Sequence, residues 1–126
     1  MNYRTPLARV RGLGSAKSGT QHWWLQRLTA VALVPLSLWF VAALVTIASA
    51  DHATAVAWLG SPVTAVLASA FIVALFYHAQ LGVQVVVEDY VHAEWLKITG
   101  IVLTKLVSLL LAGASLFAVL HIALKG

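Results

Sequence analysis

The stretch Tyr77-His78-Ala79-Gln80-Leu81-Gly82-Val83-Gln84-Val85-Val86-Val87-Glu88-Asp89-Tyr90 sets a single histidine inside an apolar run that ends in an acidic residue and a tyrosine. Upstream the run continues to Val63 without one Asp, Glu, Lys or Arg. As a helix rising 1.5 Å per residue, residues 63–87 reach about 37 Å, more than the ~30 Å of hydrocarbon in a bilayer. The stretch is therefore a membrane span with a polar end. At 100° per residue, Gly82, Val85 and Asp89 lie within about 40° of the His78 direction. One helix face thus carries an imidazole, a place without a side chain one turn away, and a carboxylate at the mouth.

Working outward, the same character holds for the whole chain. Of 126 residues, 61% are hydrophobic and 10% charged, with a mean hydropathy of +0.91; soluble domains carry roughly 25% charged residues. This is one small membrane domain, 1–126. There is no cysteine, which excludes disulfide frameworks, thiolate metal sites and thiol nucleophiles. The net charge of +4 does not indicate nucleic acid, because the basic residues form no patch interleaved with aromatics. They sort by membrane side.

Residues 1–22 hold Arg4, Arg9, Arg11 and Lys17 among glycines and serines and are expected to form a basic arm. The apolar run that follows is too long for a cleaved signal peptide, so it is expected to be retained. The first span is expected over 28–50, introduced by Trp23, Trp24 and Arg27 as an interfacial belt with a basic anchor, and bent or loosened at Pro35. Ala53 to Gly60 reads as a brief interfacial helical turn. Ser61-Pro62 is a good helix start, with Ser as cap and Pro at a position that needs no donor. The second span is expected over 63–87, a polar loop over 88–97, and the third span over 98–124, where Ser108, Ala112 and Ser115 form a small-residue stripe suited to close packing.

Three spans put the termini on opposite sides. Arg4, Arg9, Arg11, Lys17, Arg27 and Lys97 share the amino-terminal side, and Lys125 stands on the other. The positive-inside rule makes the amino terminus and the 88–97 loop cytoplasmic and the carboxyl terminus periplasmic. Asp89 and Tyr90 then lie at the cytoplasmic surface, with His78 about 16 Å deeper.

Ionisable groups at that depth are costly and point to function. A neutral imidazole with a glycine one turn away suits a haem iron and the flat ring around it; a core histidine bonded to a neighbouring helix is the competing reading. His78 is the one deep histidine, so a second axial ligand would come from another chain. Tyr90 offers a phenol that can donate to a quinone carbonyl at the membrane surface, and Asp89 can hold an arginine or relay a proton; a helix end and a belt aromatic are the bland alternatives. Arg27 is either a snorkelling anchor or a partner for haem propionates. His22, His52 and His92 read as solvated, Gln80 and Gln84 as bonding between helices, and Lys105 has no assigned role.

His78, Gly82 and Asp89-Tyr90 at this spacing, with Gly19 followed by Arg27-Leu28-Thr29-Ala30 at the start of the first of three spans, resemble the smaller of the two cytochrome b membrane anchors of succinate dehydrogenase (respiratory complex II). Gly12-Leu13-Gly14-Ser15-Ala16-Lys17 with His22-Trp23-Trp24 is similar to the alphaproteobacterial branch. The resemblance covers nearly the whole chain. It implies an all-α, integral membrane fold in the bacterial inner membrane, three transmembrane helices packing with a partner anchor around a haem. It implies that His78 is one axial ligand of a haem b, the other coming from the larger anchor, and that Arg27 contacts a propionate. Tyr90 would hydrogen-bond ubiquinone, and Asp89 would shape that site and its proton supply. The implied partners are the second cytochrome b anchor, an iron-sulfur protein and a flavoprotein, within the lipid bilayer. This chain would be a non-dehydrogenase component, without a complete catalytic site of its own.

Three other readings use the same residues. A fumarate reductase anchor would run the reaction in reverse. A cytochrome b of another membrane oxidoreductase would usually carry several haem histidines. A small transporter or assembly protein would more often show repeats or a mid-depth carboxylate, and neither is present.

Overall fold

The computed structural model describes Tyr3, residues 5–7 and residues 17–125, with side chains from residue 19 onward in the helical part. Most of the basic arm, including Arg4, Arg9, Arg11 and the glycines of the 12–16 segment, lies outside the described residues. Among those described there are four helices and no strand: α1 (Lys17–Ile47), α2 (His52–Leu59), α3 (Pro62–Tyr90) and α4 (Glu94–Lys125). Three of them, over Gly19–Ile47, Pro62–Tyr90 and Glu94–Lys125, are long and apolar enough to cross a membrane. The expected all-α membrane fold is the observed one.

The spanning helices extend beyond the expected boundaries except at the end of α1, which falls short. α1 begins eleven residues before Leu28, so the end of the basic segment is helical, and it closes at Ile47, with residues 48–50 in a turn. α3 continues through Glu88, Asp89 and Tyr90, and α4 starts at Glu94, which reduces the expected loop over 88–97 to residues 91–93. Hydropathy marks only the part of a helix in hydrocarbon; backbone hydrogen bonding carries the helix on into the interface. Helix α1 runs through Pro35 without a break.

Asp51 starts α2 by accepting the Thr54 amide at 3.0 Å, satisfying one of the free donors of the first turn. Ser61 at the start of α3 behaves otherwise than expected. Its backbone is extended as a cap requires, but its hydroxyl lies 2.9 Å from the Trp58 carbonyl and 2.8 Å from the Thr64 hydroxyl. Ser61 therefore ties α2 to α3.

α3 stands in the middle and packs against both α1 and α4, while α2 lies across the far end against α3 and α4. Small side chains let the backbones approach: Ala43, Ala65, Ala68 and Ala74 are buried beside Phe71, Leu81 and Val119. Phe40 stacks on Phe71 at 4.5 Å, fixing α1 on α3. At most 11% of each span's most apolar window is buried within the chain, so most of the apolar surface is left for lipid or for other chains.

Candidate functional site

The α1–α3 seam holds the deep histidine. His78 Nδ1 lies 3.1 Å from the Thr29 hydroxyl. Thr29 Oγ1 is also 2.7 Å from the Leu25 carbonyl and 3.1 Å from that of Gln26. Carbonyls only accept, and a hydroxyl has one hydrogen. All contacts are satisfied when the one Thr29 hydrogen is shared between the two carbonyls, chiefly the nearer Leu25, and His78 Nδ1–H donates to Thr29. That assignment leaves the Nε2 lone pair of a neutral imidazole free, the state in which histidine binds a metal, with its other nitrogen held by an outer partner.

His78 is half-buried and opens on a groove of about 470 Å³ lined by Ala30, Leu33, Val34, Ser37 and Val41 of α1. The continuity of α3 through Tyr90 keeps Gly82, Val85 and Asp89 on the His78 stripe. A Cβ built on Gly82 would make an ordinary contact with Gln26 Nε2 at 3.9 Å, and the open space beside the imidazole is the α1-lined groove, which Gly82 does not line. Donor and space both fit a haem held at its edge by this chain. Among the described residues no group of three or more His, Asp and Glu side chains could hold a metal ion.

The other expected site residues lie apart from His78. Arg27 is exposed and sits 5.0 Å over the Trp23 ring. It shares a helix face, within about 40°, with Val34, Leu38 and Val41, and all three line the His78 groove; Arg27 thus stands at the surface end of the wall of that groove. Asp89 and Tyr90 are exposed on the last turn of α3, and neither side chain has a hydrogen bond or ion pair among the described residues. Tyr90 is turned about 120° around the helix from His78 and lies about 18 Å along it. The structure brings none of these three into contact with the imidazole.

Some expectations are corrected. Gln80 and Gln84 do not bond between helices: Gln80 donates to Gln84 at 3.0 Å, and Gln84 to Glu88 at 2.9 Å, a ladder along one side of α3. Their i, i+4 spacing already allowed this. His22, expected to be solvated, has its Nε2 shielded from solvent, as is Gln26 Oε1, and neither atom has a hydrogen-bond partner among the described residues. Ser108 and Ala112 line a groove of about 420 Å³ together with Tyr77, Gln80 and Lys105. α3 and α4 are in contact at Ala65, Ala68 and Val119, and at Gly100 a Cβ would make an ordinary contact with Val87 at 3.5 Å. Thr29 is the residue that sequence reasoning passed over: it lies in the Arg27-Leu28-Thr29-Ala30 segment, but its partner is 49 positions away.

Residues 1–112 match the family described as succinate dehydrogenase/fumarate reductase transmembrane subunit. The chain is 36% identical over 120 residues to a succinate dehydrogenase hydrophobic membrane anchor subunit of Rickettsia bellii, covering 95% of this chain and 96% of that one. The protein of that name from Paracoccus denitrificans is 32% identical over 90 residues, 71% of this chain and 70% of its own. A succinate dehydrogenase membrane anchor subunit of Reclinomonas americana is 33% identical over 96 residues, 74% and 80% of the two chains. No solved structure gives a significant match.

Proposed function

The chain belongs to the succinate dehydrogenase/fumarate reductase transmembrane subunit family, and from that premise we propose that it anchors a succinate:ubiquinone oxidoreductase in the membrane and supplies one side of its haem and quinone sites. The observation that carries this reading is the Thr29–His78 contact of 3.1 Å, which presents Nε2 toward an open groove. His78 would be one axial ligand, with the second from the other anchor. Arg27, at the surface end of the groove wall, would leave Trp23 or keep it while placing its guanidinium on a propionate carboxylate. When bound, haem supplies a one-electron site between the helices.

Tyr90 would donate its phenol hydrogen bond to a ubiquinone carbonyl at the membrane surface, orienting the ring for reduction. Quinone reduction consumes protons as well as electrons, and Asp89, exposed one residue away, would hold or pass them. The chain has no cysteine to bind clusters, so the electrons would come from an iron-sulfur protein and a flavoprotein docked on the side of Tyr90. The balance of Lys and Arg supports a cytoplasmic position for that side, and the likeness to alphaproteobacterial relatives supports the bacterial inner membrane.

Purification in mild detergent through a tag on this chain tests the reading. The expected preparation contains a flavoprotein, an iron-sulfur protein and a second small membrane chain, with a b-type reduced-minus-oxidised spectrum. A colourless preparation without those partners would contradict it.

A further inference from the structure

The membrane end opposite Tyr90 carries a second polar groove that the haem and quinone sites do not use. It lies between α2 and the last turns of α4, has a volume of about 690 Å³, and is lined among others by His52, Val56, Gly60, His121, Ile122 and Lys125. We infer that this groove binds the phosphate headgroup of an anionic phospholipid in the leaflet opposite Tyr90.

Three observations carry the inference. The first is charge and donor placement: Lys125 offers an ammonium, and His52 and His121 each offer at least one ring N–H. All three are exposed, and no acidic side chain is among the described residues that line the groove. The acidic neighbour in sequence, Asp51, has its carboxylate on the Thr54 amide at 3.0 Å. The second is that the groove is built. The Gly60 backbone has ordinary helical angles, φ −77° and ψ −11°, yet a Cβ there would lie 3.2 Å from the Val56 carbonyl oxygen and 3.5 Å from that of Ile122. The tight contact is with the carbonyl of α2 itself, and Ile122 of α4 lies at ordinary contact distance, so the end of α2 rests directly on α4. Trp58 stacks on Trp39 at 6.0 Å and fixes α2 from the other side.

The third observation is location. α2 joins the ends of two membrane spans, so it lies at the bilayer surface, where Trp39 and Trp58 suit the interfacial belt. The groove floor is apolar at Val56 and Ile122, and the His121 ring lies against Phe117 at 5.7 Å. A free anion would use the ammonium and the ring N–H donors and leave that floor wet; a phospholipid uses both, with its phosphate on those donors and its glycerol and upper acyl chain on the floor.

The test uses the assembled complex in phosphatidylcholine vesicles, with spin-labelled phosphatidylglycerol or spin-labelled phosphatidylcholine as probe and the motionally restricted fraction as the reading. Comparing the wild type with the triple variant His52→Gln, His121→Gln, Lys125→Gln isolates this site from all others on the complex. The expected result is loss of about one restricted phosphatidylglycerol per complex. That site should prefer phosphatidylglycerol about five-fold, the scale set by one lysine at a membrane surface, and added inorganic phosphate should not displace the probe. Unchanged phosphatidylglycerol selectivity in the variant would overturn the inference, as would displacement by inorganic phosphate, which marks a free-anion site. Should the triple variant fail to assemble, Ala57→Trp, which fills the groove without altering its charges, must give the same loss; retention of the lipid would overturn the proposal.

Discussion

At the residue scale the deciding feature is which nitrogen of His78 is free. Thr29 determines this by accepting from Nδ1 while donating to the Leu25 carbonyl at 2.7 Å. Thr29→Val keeps the shape and removes the acceptor, leaving a buried N–H without a partner and the ring without its orientation. Loss of an outer partner of this kind typically costs 10- to 100-fold in metal affinity, so haem affinity should fall by about tenfold or more; Thr29→Ser should restore it. Haem per complex, measured as the pyridine haemochrome against protein, checks this, and equal content in all three proteins would remove Thr29 from the site. Tyr90 belongs to a different reading. Tyr90→Phe should slow ubiquinone reduction by about ten- to a hundredfold, the loss of one hydrogen bond to a reacting carbonyl, while succinate oxidation with a dye acceptor stays near wild type. Equal loss of both activities would indicate misassembly.

At the element scale, glycines with similar surroundings in sequence should respond differently. A methyl at Gly60 would meet two backbone oxygens, at 3.2 and 3.5 Å, whereas one at Gly100 would meet side-chain carbons of Val87 at ordinary distances of 3.5 and 3.9 Å. Gly60→Ala should therefore destabilise by about 1 kcal/mol or more, and Gly100→Ala should be neutral or mildly stabilising, since alanine is the better helix former. Thermal melting of the complex distinguishes them; equal midpoints would mean that α2 is free to move. The α2 cap adds a pH response. Thr54, first through its side chain and then through its backbone amide, holds the Asp51 carboxyl below its usual range. A carboxyl lowered on folding contributes fully above its ordinary value, near 3.9, and the contribution is lost as pH falls through the lowered value. The protection of the Thr54 amide, its exchange rate relative to the intrinsic rate at each pH, should thus be constant from pH 8 to about pH 5 and fall only at lower pH, and Asp51→Asn should abolish that acid response.

These elements also show what the sequence discloses. Three spans and the stripe joining His78, Gly82 and Asp89 follow from composition and from 3.6-residue periodicity, because each is local; the Asp51 cap is not among these readings, which offer Ser61 instead. The helix ends depart from expectation at Lys17, Tyr90 and Glu94, where polar residues remain helical outside the hydrocarbon. The Thr29–His78 contact, the direction of the Gln80–Gln84–Glu88 ladder and the shielding of His22 depend on rotamers and on the register between helices, which no single segment encodes.

At the scale of the whole molecule, the chain is half of something larger. Among the described residues no large side chain is fully buried, and Leu38, Leu109, Leu110 and Phe117 are each 70% exposed or more. Lipid satisfies such a surface, but a single histidine at the seam of two helices does not complete a haem site, and an unpartnered Asp89-Tyr90 end does not complete a quinone site. Everything proposed for this anchor stands on His78 being one ligand of a haem shared with its partner. The decisive measurement is the reduced-minus-oxidised spectrum of the purified complex carrying His78→Ala, compared with the wild type at equal protein content. Loss or severe disturbance of the b-type bands is predicted, with all the partner proteins still co-purifying. An unchanged spectrum would contradict the ligand assignment and return His78 to the role of a core histidine bonded to Thr29.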